Sequence, residues 1–286
     1  YHRDSPDCKA PDLEGPPFQS PSPALGEQAP DGGKAEAASA CPLAELQPRA
    51  LRDRCYGPAV PDLRFYTFPP SHNAVRTEIA LIEKQLDFER IEIDLFSGEH
   101  HKPPLTELTP RQQVPTLVLP QPDGTELVVY ESLAIIRLLD DLYPDPPLMP
   151  PVSEPARRAA ALMRMEEFQA KLDPKNIFGS VVFRGKTRDE LGERVDALAE
   201  ELPRWDGYVG DQTYLAGDQF TLADIAVFPL LMHFEVLGYD YARHTPALAG
   251  YITRCKARDS VAKTGWLRRF KSLVETREFD KVLAKL

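Results

Sequence analysis

Between residues 63 and 143 the apolar positions switch repeatedly between two periods. Residues 63–68, with Leu63, Phe65, Tyr66 and Phe68, form a strand-like run that Pro69 and Pro70 end. Ser71 is suited to start the next element, in which Val75, Ile79, Ile82 and Leu86 recur at helical spacing. Over residues 88–95 the period returns to two, with Ile91, Ile93 and Leu95 on one face. Strand, helix and strand in that order make one right-handed crossover between parallel strands. Residues 97–103 keep no period and read as a surface loop or irregular helix. Short strands at 116–119 and 127–129 flank the hairpin signal Gln121-Pro122-Asp123-Gly124. Glu131 and Ser132 then open a helix with Leu133, Ile136, Leu139 and Leu142 on one stripe, stopped at Tyr143-Pro144. A βαβ unit followed by ββα predicts a compact mixed sheet flanked by helices.

Residues 145–151 carry four prolines, which exclude both a continuing helix and a central strand, so a domain boundary falls there. Beyond it, helical periods dominate over 154–168, 188–202, 222–237, 246–258 and 260 to the end, which predicts an all-helical bundle. The expected organisation is a sheet domain over 61–145, a linker over 146–153 and a helical domain over 154–286. The best-specified helix start lies at Thr221: its hydroxyl faces the amide of Asp224, and the Asp224 carboxylate reaches back to the Thr221 amide. Phe220 is placed to staple onto Ile225. Capping accounts for Asp224 more fully than catalysis does. Residues 1–60 hold ten of the chain's 29 prolines without a sustained period, and are expected to be a disordered extension. A short amphipathic stretch at 43–52 could dock on the body, but an inert tail fits the composition better.

Composition narrows the function classes. A chain of 286 residues with 42% hydrophobic content can bury a real core, and a net charge of −10 disfavours a nucleic-acid partner. No stretch has the apolar length of a membrane span and the N-terminus lacks a signal-peptide core, so a cytoplasmic protein is expected. The chain begins at Tyr1, as a fragment or processed form would. Cys8, Cys41, Cys55 and Cys255 form no C-x-x-C pair and have no neighbouring His at ligand spacing, so reduced thiols without metal are expected.

The turn Gln112-Gln113-Val114-Pro115 feeds directly into the strand at Thr116, and a proline there fixes an unusual backbone geometry, expected as a cis Val114–Pro115 bond. Such a turn can leave the Val114 amide and carbonyl facing outward, ready to pair with an extended peptide-like ligand. That turn, Ser71 through Arg76, Gly98-Glu99-His100, Glu131-Ser132 and Gly217 through Asp224 follow one another as in the cytosolic glutathione S-transferases. The chain resembles that family from residue 63 to about 270. The resemblance implies a thioredoxin-like N-terminal domain that binds glutathione, a helical C-terminal domain that supplies an electrophile site, and a homodimer. The Ser-x-x-x-x-Arg pattern from Ser71 to Arg76 resembles the serine-type phi, theta and rho classes. There is no Ser-Ser-Cys of the zeta class and no omega-type cysteine. The chain carries Gln112 where the family's turn commonly has glycine.

On this resemblance Ser71 is the residue that stabilises the glutathione thiolate, with Tyr66 as runner-up, although a tyrosine between Phe65 and Phe68 reads more naturally as packing. Glu131 and Ser132 would hold the γ-glutamyl end, Val114 and Gln113 the cysteinyl unit, and His100 and Lys102 the glycine carboxylate, with His101 a register shift away. Phe68, Met165, Phe168, Trp266 and Phe270 are candidates for the electrophile site, although helical aromatics more often belong to a core. The expected activity is conjugation of glutathione to small apolar electrophiles. Glutathione-dependent peroxidase chemistry in the same site, or a non-catalytic interaction module of the same fold, are the alternatives.

Overall fold

The computed structural model describes residues 63–286, so the extension over 1–60 and its stretch at 43–52 lie outside the described residues. Four strands, β1 (Arg64–Thr67), β2 (Glu89–Glu92), β3 (Thr116–Pro120) and β4 (Glu126–Tyr130), form one sheet in the order β2-β1-β3-β4. β1 pairs parallel with β2 and antiparallel with β3, with Phe65 opposite Leu117, and β3 pairs antiparallel with β4. The parallel pair is joined by α1 (His72–Glu83), as the change of period after residue 71 required. Strand alternation sends Phe65, Leu117 and Leu119 to the face covered by α1 and α3 (Ser132–Leu142). It sends Tyr66 and Val118 to the opposite face, where Leu105 of a short helix α2 (Leu105–Leu108) closes over them with Ile93. β2 is shorter than the alternation over 88–95 predicts, and α2 falls in a stretch with no predicted element.

The linker is pinned at several points. Asp140 accepts from the Leu148 amide at 2.8 Å and from the buried Lys84 ammonium, which also donates to the Pro146 carbonyl at 2.7 Å. The Leu222 amide donates to the Leu148 carbonyl at 2.9 Å, tying the linker to the helical domain.

That domain holds α4 (Pro155–Glu167), α5 (Phe178–Val182), α6 (Arg188–Val209), α7 (Leu222–Val236), α8 (Tyr241–His244), α9 (Pro246–Lys256), α10 (Asp259–Thr264) and α11 (Trp266–Glu275). Thirteen of the 15 residues of α7 are buried, as expected for a helix apolar on every side, and it packs against α1, α4 and α9. Its start is the predicted capping box, with the Thr221 amide donating to Asp224 Oδ2 at 2.7 Å. Phe220 and Ile225, the pair expected to form the staple, are both buried in the same core cluster. Phe220 also packs edge-on against Tyr214 and beneath the Arg258 guanidinium, which lies 4.0 Å from its ring.

The single C-terminal helix predicted from residue 260 is two helices, because Gly265 adopts φ +66° and resets the axis. After α11 the chain folds back: the Leu283 amide donates to the Leu237 carbonyl at 3.0 Å, and Val282 and Leu283 are buried. Gly238, at φ +94°, makes this possible, since a side chain there would come within 3.0 Å of Ala284. The sheet and helical domains are clamped by Arg258, which donates to Glu83 through Nε at 3.0 Å and Nη2 at 2.8 Å.

Candidate functional site

A cleft of about 380 Å³ opens between the two domains. Its sheet-domain wall includes Gln113, Val114, Pro115, Glu131 and Ser132, and its opposite wall includes Phe168, Gln169 and Asp173. Each sheet-domain group comes from a local feature of the chain. Gln112 takes φ +51°, the left-handed conformation for which glycine is the usual choice, and the Val114–Pro115 bond is cis. The β3 ladder starts at Thr116, so the Val114 amide and carbonyl have no backbone partner among the described residues. Glu131 holds φ +68° immediately before α3, a strained conformation of the kind that concentrates at functional sites. Ser132 is the first residue of α3, and the first bond back to the Glu131 carbonyl comes from Ile135. The amides of residues 132–134 therefore point toward the cleft end of the helix, where its dipole favours an anion.

Arg76, 2% exposed, connects the two walls. Its Nε donates to the Ala226 carbonyl at 2.8 Å, its Nη1 to Asn73 and, at 3.4 Å, to Ser132 Oγ. The guanidinium also lies 4.6 Å from the Phe168 ring. Nη2 faces Asp173 Oδ1 at 3.7 Å, and His72 Nε2 faces the same oxygen at 3.8 Å. Those are ion-pair distances rather than hydrogen bonds, and both Nη2 and Oδ1 are buried without a hydrogen-bond partner among the described residues. Since the Asp173 side chain is 40% exposed while its Oδ1 is buried, its remaining oxygen is the one turned toward solvent in the cleft. Burial opposes ionisation of Asp173, but His72 and Arg76 outweigh it and hold the carboxyl below its usual range. Burial lowers Arg76 to about 10 and His72 to about 4, in each case against the pull of Asp173, so at neutral pH the arginine is charged and the imidazole neutral.

The other predicted residues lie elsewhere. Ser71 caps α1, accepting from the Ala74 amide at 3.3 Å, and is half-buried outside the cleft lining. Tyr66, 3% exposed, packs with Ile93, Leu105 and Val118 on the far face of the sheet. His100 and Lys102 sit in and after a single turn of 3₁₀ helix, Glu99–His101, and are not among the residues that line the cleft. Burial and the neighbouring His101 push His100 below the usual imidazole range. It is His101 that reaches the turn, its Nδ1 lying 2.9 Å from Gln112 Oε1.

The five electrophile-site candidates do not all line the cleft. Phe168 lines the cleft, Met165, Trp266 and Phe270 are core residues, and Phe68 meets Phe96 edge-on. Packing explains the core three: Trp266 and Phe270 stack on each other, and Phe270 stacks on the buried His233. Sequence reasoning does not single out Asp173, which lines the cleft and lies in a stretch with no sustained period. Among the described residues no cluster of His, Cys, Asp or Glu is placed to hold a metal, and no helix is long and apolar enough to cross a membrane.

A four-stranded mixed sheet with flanking helices, followed by a helical domain and with a cleft between them, is the glutathione S-transferase fold. The family model described as glutathione S-transferase, N-terminal domain, matches residues 70–142, and the one described as glutathione S-transferase, C-terminal domain, matches residues 149–259. Glutathione S-transferase 3 of Zea mays is 35% identical over 183 residues, which cover 59% of this chain and 78% of that protein. A crystal structure of a glutathione S-transferase from the Antarctic clam Laternula elliptica is 28% identical and superposes with a TM-score of 0.62, covering 72% of this chain and 94% of that one. A glutathione transferase family member from Pseudomonas fluorescens, solved with two glutathione bound, has the same fold at a TM-score of 0.61 and 22% identity, covering 71% of this chain and 91% of that one. The chain belongs to the glutathione S-transferase family and is a transferase.

Proposed function

We propose that this transferase is of the serine type: it binds glutathione in the cleft, lowers the thiol pKa through Ser71, and conjugates the thiolate to small apolar electrophiles. Residues 61–145 bind glutathione, and residues 154–286 complete the site for the second substrate. The observation that carries the reading is the convergence of Gln113, Val114, Glu131 and Ser132 on one cleft whose volume suits a small molecule. An unpartnered Val114 backbone suits the cysteinyl peptide of glutathione. The α3 N-terminus with Ser132 suits its γ-glutamyl carboxylate, while Glu131 and the outward oxygen of Asp173 suit its ammonium. His100 and Lys102 take the glycine carboxylate.

A thiol with an ordinary pKa of about 8.5 is mostly protonated at neutral pH, and only the thiolate attacks. In the cap, Ser71 Oγ accepts from the Ala74 amide, which leaves its own hydrogen free to donate to the sulfur. The N-terminal end of α1 adds favourable potential. Two copies associate in the cytoplasm; the exposed Leu127, Tyr130 and Leu142 of the sheet domain and Leu162 and Met163 of α4 are apolar surface that such a contact would cover.

Titration calorimetry with glutathione on the whole chain, with conjugation of 1-chloro-2,4-dinitrobenzene, tests this. Measurable binding, conjugation, and loss of conjugation in Ser71→Ala are expected. Absence of glutathione affinity would overturn the reading in favour of a non-catalytic module. Retained conjugation in Ser71→Ala with loss in Tyr66→Phe would move the donor role to the phenol. Product analysis with cumene hydroperoxide separates conjugation from peroxide reduction.

A further inference from the structure

Three residues before Ser71, Phe68 begins a chain of rings that runs across the domain boundary. Phe68 meets Phe96 edge-on with centroids 5.3 Å apart, Phe96 meets Phe183 at 5.6 Å, and Phe183 meets the buried Phe178 at 5.8 Å. Phe68 and Phe96 belong to the sheet domain and the other two to the helical domain. Phe96 and Phe183 remain 56% and 44% exposed, a large apolar area left in water. Over both lies the exposed Arg277, its guanidinium 5.0 Å from the Phe96 ring and 5.3 Å from the Phe183 ring.

Arg277 forms no ion pair among the described residues, although the chain carries 44 acidic residues. A staple whose purpose is to hold two domains together would bury its rings and neutralise its cation, as the Arg258–Glu83 clamp comes closer to doing. Half-exposed aromatic rings beside a guanidinium that has no acidic partner among the described residues are instead complementary to a flat ring with an acidic substituent.

We propose that Phe68, Phe96, Phe183 and Arg277 form the recognition surface for the second substrate, and that it selects aromatic electrophiles carrying a carboxylate or sulfonate. This rests on the transferase reading above and narrows its substrate class. The bound ring lies against the phenylalanines with its acid group at Arg277. In the step itself the glutathione sulfur forms a bond to the ring carbon, that carbon's bond to halide breaks, the halide leaves as an anion and the thiol proton passes to solvent. Nothing is oxidised or reduced, and the acid group is unchanged.

The test compares 4-chloro-3,5-dinitrobenzoate with its neutral carboxamide, of nearly the same shape, each rate divided by that of free glutathione. The wild type is expected to favour the carboxylate by about fivefold in kcat/KM, the size of one partly exposed ion pair. Arg277→Gln should bring the ratio to about one, Arg277→Lys should keep part of it, and high salt should shrink the wild-type ratio. A wild-type ratio near one, or one that Arg277→Gln leaves unchanged, overturns the inference while the transferase reading stands. Failure to conjugate either compound together with failure to bind glutathione overturns both.

Discussion

Replacing Asp224 with alanine removes the acceptor for two buried amides, those of Leu215 at 3.0 Å and Thr221 at 2.7 Å, and for the Thr221 hydroxyl at 3.0 Å. Leu215, Thr221 and Asp224 are 2%, 1% and 0% exposed, so water cannot take over. A stranded buried amide costs about 1–3 kcal/mol and loss of a helix cap about 1 kcal/mol. These terms overlap, and about 4 kcal/mol is expected in total. For a chain of this size that lowers Tm by roughly 8–16 °C. Thr221→Ala leaves the carboxylate and both amide bonds in place and should cost only about 1 kcal/mol. Burial raises the Asp224 carboxyl to about 6, against the hydrogen bonds from Leu215 and Thr221, so at neutral pH the acceptor is ionised. Urea unfolding followed by fluorescence of the buried Trp205 and Trp266, at fixed protein concentration, reads the change. If Asp224→Ala lost conjugation while stability moved by less than about 1 kcal/mol, the capping account would be refuted and Asp224 would be a reacting group.

Ser71→Ala deletes one hydrogen bond to an anion, worth about 1.5–3 kcal/mol, so kcat/KM should fall roughly 10- to 150-fold and the alkaline shift of its pH profile should reveal the raised thiol pKa. Glu83→Gln removes a carboxylate that accepts twice from Arg258 and once from Ser260; a loss of about 2–3 kcal/mol in unfolding free energy, read as a lower urea midpoint, is expected, and an unchanged midpoint would show the clamp to be dispensable. His72 is held near 4 against an ordinary 6.5, so between those values the unfolded chain binds a proton that the folded chain does not. Its contribution is complete above 6.5 and is lost as pH falls toward 4, by up to about 3 kcal/mol. Asp224 acts in the opposite sense over an overlapping range, so the pH dependence of wild type minus His72→Gln is the quantity to measure, and a flat difference would sink the assignment.

Elements set by local chemistry were legible from the residues alone. Pro69-Pro70 ends β1, the Asp123-Gly124 turn closes the β3–β4 hairpin, and Thr221 with Asp224 starts α7, because each depends on neighbours within four positions. The C-terminal helix was misread because the apolar stripe of Val261, Trp266 and Phe270 continues through Gly265, so the period survives where the backbone does not. α5 is an apolar segment of only five residues, too short to show a period. Phe220 also packs under Arg258, which arrives from just beyond α9 and which no local rule announces.

The same division runs through the cleft, and Arg76 shows why. Ser71, Gln113, Glu131 and Ser132 stand at caps and turns, where a motif of a few residues fixes the backbone. Asp173 meets Arg76 across 97 positions of sequence, and nothing within either segment announces the other. Burying a guanidinium is costly unless its donors are met, and here Nη2 and the facing carboxylate oxygen stop at 3.7 Å. Apolar residues of similar volume would fill that space at less cost, so stability alone does not account for the arrangement. What Arg76 gains is position: one side chain fixes Asn73, Ser132 and the Ala226 carbonyl while standing between Phe168 and Asp173. Arg76 therefore couples the Ala226 carbonyl of the helical domain to the start of α3 through direct hydrogen bonds of one side chain. The coupling is carried by a residue whose helical period marks it only as another position on the buried face of α1.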